Sequence, residues 1–327
     1  MSNLARIAVS IGAAALFAGC GGSQPPISAP STMVRPVATP VPPFPSGIRP
    51  HGWLARGLQT RGGSSGPVIY VADQQDSTVL IYAETGGYLQ GEITDGINSP
   101  YGLYVDKNGT LYVANEGNST VTAYPEGSTS PSTIWSQDLQ RPLYVMVDGS
   151  GDLFVDMQAN GSVVEYRPGS TTKYQVLQTQ GTEGDGMDFD SHGNLYVAYR
   201  MSDDKRRGGI EEFPPGTTQG RHLGMKLTEP QGLIVDKNGN ILVVQTGKPG
   251  RIELFKPGHK RLSQVVRHRG TMTQIAIEAN ESELFASTLD GPILTIAYPF
   301  PPSRRMRRLL RAPSGIQGLA LSNGQTF

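Results

Sequence analysis

Ligand binding and catalysis need side chains that ionise, ligate or attack, and this chain gathers few of them in one place. The densest group is "EGDGMDFDSHG" at Glu183–Gly193, which carries Asp185 and Asp188. Two carboxylates so close in sequence could hold a divalent cation through oxygen ligands. A structural hydrogen-bond network with buried water is the other reading, and the one the residues favour. Asp156, in "LFVDM", is a further carboxylate inside an apolar run. Cys20 is the only cysteine, which excludes an intrachain disulfide and a cysteine-based zinc site. The five histidines read as exposed turn or linker residues. "GGSSG" at Gly62–Gly66 matches the letters of a hydrolase elbow. The elbow needs a strand before its serine and a helix after it, and neither pattern is present, so this is linker.

A repeat must position whatever chemistry exists. "GLYVDKNGTLYVAN" at Gly102–Asn115 returns as "GLIVDKNGNILVVQ" at Gly232–Gln245. Gly102, Tyr144, Gly186, Gly232, Gln274 and Gly318 fall in register, at spacings of 42, 42, 46, 42 and 44 residues. A period near 40–45 residues with all-β character signals a propeller, one blade per repeat. Each repeat predicts a first strand such as Leu103–Asp106, a tight "DKNG"-like turn and an apolar second strand. A third strand ending in an aromatic residue follows, and then a less regular fourth, such as Ser132–Ser136, Lys173–Gln178 or Leu262–Arg267. The chain enters mid-repeat at Val68–Gly86 and ends on a lone first strand, "GIQGLALSNG" at Gly315–Gly324. Together these make one blade. The fold class is therefore all-β: a six-bladed propeller of four-stranded antiparallel blades. The ring closes where the strand of Leu319 and Leu321 pairs with that of Ile69 and Val71.

Asp188 stands where the other repeats carry Tyr104, Met146, Ile234, Ala276 and Ala320, a slot expected to pack between blades. A lone carboxylate there costs several kcal/mol unless it is bonded. The same blade carries the insertion "MSDDKRRGG" at Met201–Gly209, and "SRRMRRLLR" at Ser303–Arg311 is a basic run. Each reads either as a partner contact or as a solvated edge.

"PYGLYVDKNGTLYVANEGNSTVTAY" resembles the NHL repeat and, more broadly, the six-bladed class of SMP-30/gluconolactonase-like proteins. The resemblance covers residues 67–327. It implies that one face, made by the loops between blades and between second and third strands, holds the site. On that face the ligand-facing candidates are Tyr101, Asn115, Arg141, Asp185, Gln231 and Gln245. Lactonase-like members hold a divalent cation with a Glu, Asn and Asp set. Here only Asp185 falls at such a position, with Asp73 and Asn115 further out, so the set departs from that pattern. The lyase-like members need an axial His and Glu, which this chain does not supply at those positions. The expectation is a non-catalytic binding module. The alternative is a metal-dependent lactonase or hydrolase. No cofactor is expected beyond a divalent cation at Asp185 and Asp188.

Charge and the first residues bound the setting. Lys plus Arg and Asp plus Glu both number 28, so net charge gives no argument for a nucleic-acid partner. "MSNLARIAVSIGAAALFAGC" has a basic start and a short apolar run, the pattern of a secretory signal. Its "LFAGC" resembles the bacterial lipobox, which implies cleavage before Cys20 and acylation of its thiol. The expected organisation is a signal peptide over 1–19, a Pro-, Ser- and Gly-rich disordered tether over 20–66 and the propeller over 67–327. The expected partners are the lipid bilayer, through Cys20, and a protein, peptide or glycan. The chain is expected to be a monomer anchored in the cell envelope on the extracytoplasmic side.

Overall fold

The computed structural model describes residues 66–204 and 207–324. The expected signal peptide, Cys20 and the expected tether lie outside the described residues, except for Gly66. Among the described residues every regular element is a strand, and the strands form six four-stranded sheets arranged as a ring. The first blade holds β1 (Val68–Asp73), β2 (Thr78–Ala83) and β3 (Leu89–Ile93). The second holds β4 (Pro100–Val105), β5 (Leu111–Asn115), β6 (Thr120–Tyr124) and β7 (Thr133–Trp135). The third holds β8 (Pro142–Val147), β9 (Leu153–Met157), β10 (Ser162–Tyr166) and β11 (Lys173–Gln178). The fourth holds β12 (Glu183–Phe189), β13 (Leu195–Arg200), β14 (Gly208–Phe213) and β15 (Arg221–His222). The fifth holds β16 (Pro230–Val235), β17 (Ile241–Gln245), β18 (Gly250–Phe255) and β19 (Gln264–His268). The sixth holds β20 (Met272–Ile277), β21 (Glu283–Thr288), β22 (Pro292–Ala297) and β23 (Arg307–Arg311), and β24 (Ile316–Leu321) returns to complete the first.

The closure joins the expected strands. Ile69 pairs with Leu321 and Val71 with Leu319, antiparallel. The Val68 amide donates to Ser322 Oγ at 2.8 Å, which carries the seam one residue further. Side chains of β1 and β24 share a hydrophobic cluster with Phe285 and Leu310 of the sixth blade, so the seam is packed as well as paired.

The innermost strands β4, β8, β12, β16, β20 and β24 touch in sequence around the axis. This proximity explains the glycine that opens the repeated motif. A Cβ on Gly102 would lie 2.3 Å from the Leu143 carbonyl oxygen of the next blade, and one on Gly318 would lie 1.9 Å from that of Tyr101. Only glycine lets neighbouring backbones approach so closely. At the other end of the inner hairpin, Asp106 Oδ1 accepts the amides of Asn108 and Thr110, each at 2.9 Å. Asp148, Asp190 and Asp236 repeat this bond pattern in their blades. The turn is thus held by its own aspartate, as such side chains do locally.

The first strands of the second to fifth blades begin three or four residues earlier than the repeat suggests: β4 starts at Pro100 and not at Leu103. The reason is a β-bulge in every innermost pair, between Pro100 and Leu103 in the second blade. The bulge lets Pro100 pair with Asn115 after a break that sequence alternation conceals. The outer strands differ at their ends too, with Thr133–Trp135 and Gln264–His268 in place of the longer runs expected.

Candidate functional site

The bulges place Tyr101, Asp185, Gln231, Thr273 and Gln317 at the same end of their strands, at the mouth of the axial channel. Gln231 Nε2 donates to the Tyr101 hydroxyl. These residues belong to the second and fifth blades, which stand opposite each other in a six-membered ring. The bond therefore bars the mouth. Tyr144 packs edge-on to Tyr101, with ring centroids 5.9 Å apart.

A polar belt runs along one side of this bar. Gln317 Nε2 donates to Gln74 Oε1 at 3.0 Å, and Gln74 Nε2 donates to Glu116 Oε2 at 2.7 Å. Arg141 Nε donates to Glu116 Oε1 at 3.0 Å. The Arg141 side chain keeps 57% of its surface exposed, so the belt ends in a guanidinium offered to solvent. Gln74 and Glu116 were not legible as site residues. Each is the first residue past a second strand, with no motif to distinguish it from an ordinary turn.

Asn115 and Gln245 sit beneath the rim. Asn115 is fully buried; its Oδ1 accepts the Asn98 amide at 3.0 Å and its Nδ2 donates to Thr122 Oγ1 at 3.0 Å. Gln245 accepts the Thr228 amide at 2.6 Å and donates to Glu253. Each fastens the loop that enters its blade, so the two act on the face through the loops they hold.

The buried carboxylates have separate partners. Asp185 has no exposed surface, and Arg200 Nε lies 3.3 Å from its Oδ2 while also donating to Glu183 Oε2 at 2.5 Å. Burial, with the Asp185 carboxylate nearby, pushes the Tyr101 hydroxyl well above its ordinary range. Asp188 accepts the Val235 amide of the fifth blade at 2.7 Å and the Phe189 amide at 3.0 Å. Burial raises its carboxyl well above the usual carboxylate range. Its slot does pack between blades, as expected. The equivalent Tyr104 donates its hydroxyl to the Val147 carbonyl of the next blade at 3.2 Å.

Asp156 Oδ2 accepts the Gly186 amide at 2.9 Å, while its Oδ1 is buried without a hydrogen-bond partner among the described residues. Burial pushes this carboxyl up to about 7, although the Gly186 and Met157 amides pull it down. Gln274 Oε1 accepts the Leu319 amide at 3.0 Å. Asp156, Asp188 and Gln274 thus share one task. An innermost strand has no neighbour on its axial edge, and a side chain from the preceding blade meets an amide there that would otherwise go unpaired. Among the described residues no group of three or more His, Asp or Glu side chains is placed to hold a metal ion.

Below the bar, Tyr104, Met146, Asp188, Ile234, Ala276 and Ala320, one from each blade, line a cavity of about 80 Å³. Such a space suits a few waters and not an organic substrate.

No family model and no curated protein matches the sequence. Among solved structures, a chain in the crystal structure of a nidogen/laminin complex is similar, with a TM-score of 0.66 and 17% identity, over 80% of this chain and 100% of that one. Hydrazine synthase of Kuenenia stuttgartiensis is similar with a TM-score of 0.57 and 11% identity, over 70% of this chain and 73% of that one. At such identities the likeness shows the fold and nothing finer.

Proposed function

We propose that this chain is a tethered, non-catalytic propeller of NHL-like character that binds a protein or peptide partner through its barred face. The observation that carries the reading is the bar itself. With Tyr101 and Gln231 bonded across the axis, the face offers a shallow polar surface, edged by the Gln317–Gln74–Glu116–Arg141 belt, in place of a deep substrate pocket. Shallow surfaces with an exposed arginine suit macromolecular partners better than small substrates. A propeller of the same fold comes from a nidogen/laminin complex, which agrees with this use.

The address in the proposal rests on "LFAGC" at Leu16–Cys20. Cleavage before Cys20 and acylation of its thiol would hold the propeller on an envelope membrane, on its extracytoplasmic side, as a monomer. More than one acyl chain is needed for a stable anchor, and lipoprotein maturation supplies them.

One experiment tests both parts. A photo-crosslinking residue is placed at Arg141, or at the exposed Arg261 on the opposite rim, in the full chain and in its Cys20→Ala form. The proposal expects a discrete adduct from position 141 alone, and release from membranes on loss of the thiol. Equal adducts from both positions, or none, would overturn the binding face. A processed Cys20→Ala protein that stays with membranes would overturn the anchor.

A further inference from the structure

The rim opposite the bar holds the larger opening, a cleft of about 490 Å³ between the fourth and fifth blades. β15 has two residues, Arg221 and His222, whereas the outer strands of the third and fifth blades have six and five. Past β15 the chain continues along β14, with the Leu223 amide donating to the Ile210 carbonyl at 2.9 Å, and the cleft is floored by Met225 and Ile241, both buried.

The permanently charged groups around the cleft carry one net positive charge, three cations against two carboxylates. Arg221, Lys237 and Lys260 face it, together with three of the five histidines, His192, His222 and His259. Its two acidic residues are already engaged. Asp190 accepts the His192 and Asn194 amides at 2.9 Å each and the Asn194 side-chain amide at 2.8 Å, and these bonds hold its carboxyl below the ordinary range despite partial burial. Glu212 is bonded to Arg221. Lys237 lies 3.5 Å from Glu281. Lys260 makes no ion pair among the described residues, and its ammonium lies over Gly224, 2.8 Å from where a Cβ would stand. The chain as a whole is neutral, so this positive grouping is local.

We infer that this cleft binds a small organic anion, with Lys260 and the three imidazoles meeting its carboxylate or phosphate groups and the apolar floor meeting its carbon skeleton. The volume lies within the usual range of small-ligand sites, and convergent cations over an apolar floor are what such a ligand requires. The site is independent of the barred face, so neither reading depends on the other.

Imidazole NMR on the full chain tests this, because histidines are few. At about pH 6, citrate is titrated at constant ionic strength, with inorganic phosphate in a parallel arm. The expected result is saturable movement of the His192, His222 and His259 signals with citrate while His268 stays in place. Phosphate, which has no carbon skeleton, is expected to move the signals only at higher concentration than citrate; equally tight saturation by phosphate would overturn the role given to the floor. Lys260→Glu, at an exposed position, is expected to weaken citrate roughly tenfold or more, about 1.4 kcal/mol or above, with an unchanged melting curve. Linear drift of all the histidine signals together, or a Lys260→Glu titration identical to the parent's, would overturn the inference.

Discussion

Tyr101 and Gln231 are 130 residues apart in sequence, yet the amide of one meets the hydroxyl of the other across the axis of the ring. The bond is a direct readout of six-fold closure, since it joins opposite blades. It also ties together two residues that the family resemblance puts on the proposed binding face.

Removing that hydroxyl with Tyr101→Phe is expected to cost about 0.5–1.5 kcal/mol, the net worth of a typical hydrogen bond. Gln231→Ala should cost a similar amount, and the double variant less than the sum of the two. Urea unfolding of all four proteins gives the coupling energy. Strictly additive costs would mean that the mouth is not barred in solution.

Asp185 already has a cation beside it, in Arg200. A calcium ion would have to approach against that guanidinium, so millimolar calcium is expected to leave the melting temperature of the protein unchanged. A rise that vanishes in Asp185→Asn would instead restore the metal reading of the acidic blade.

Asp156 gives a pH signature. Its folded carboxyl titrates near 7, because burial opposes its charge, whereas an unfolded aspartate titrates near ~3.9. The folded state thus holds the proton more tightly. Stability from this group is fully present below the unfolded value and is lost as pH rises through the folded one. The loss amounts to about 4 kcal/mol at most, at about 1.4 kcal/mol per unit. Glu84, raised to about 7 by partial burial and by Glu278, acts in the same direction. Asp156→Asn keeps the shape and removes the titration. Its stability relative to the parent should therefore increase between about pH 4 and pH 8. Parallel stability–pH curves for the two proteins would refute this.

Deleting residues 315–327 removes β24. Roughly four ladder bonds at about 0.5–1.5 kcal/mol each, and two buried leucines at about 1.5–3 kcal/mol each, come to about 5–12 kcal/mol. That rivals the roughly 5–15 kcal/mol that holds a typical domain together. The truncated protein is expected to be insoluble or molten. A soluble truncation with an unaltered melting curve would contradict closure by β24.

The closure could be read from sequence because both ends of the repeat are visibly incomplete, and their halves fit one blade. The strand of Leu319 and Leu321 was matched to that of Ile69 and Val71 on that ground alone; their register, Val71 with Leu319 and Ile69 with Leu321, came from the structure. The bulges could not be read, because a period-two pattern has no symbol for an extra residue; β4 therefore begins earlier than its apolar alternation implies. Nor could the burial of Asn115 and Gln245, whose polarity suggested a surface and whose bonds hold loops. The oddity of Asp188 was legible from the slot it shares with Tyr104. Its partner, the Val235 amide, was not, since that amide is set by the backbone of another blade.

The seam also orders events in time. The blade begun by β1, β2 and β3 lacks its innermost strand until β24 arrives, some 250 residues later along the chain. In any process that delivers this polypeptide from its amino end, whether synthesis or export, the earliest blade is the last to be completed. Until then the free side of β1 is an unpaired template for other strands. The waiting time is set by the length of the whole ring. A slow step anywhere in the later blades therefore prolongs the vulnerability of the first.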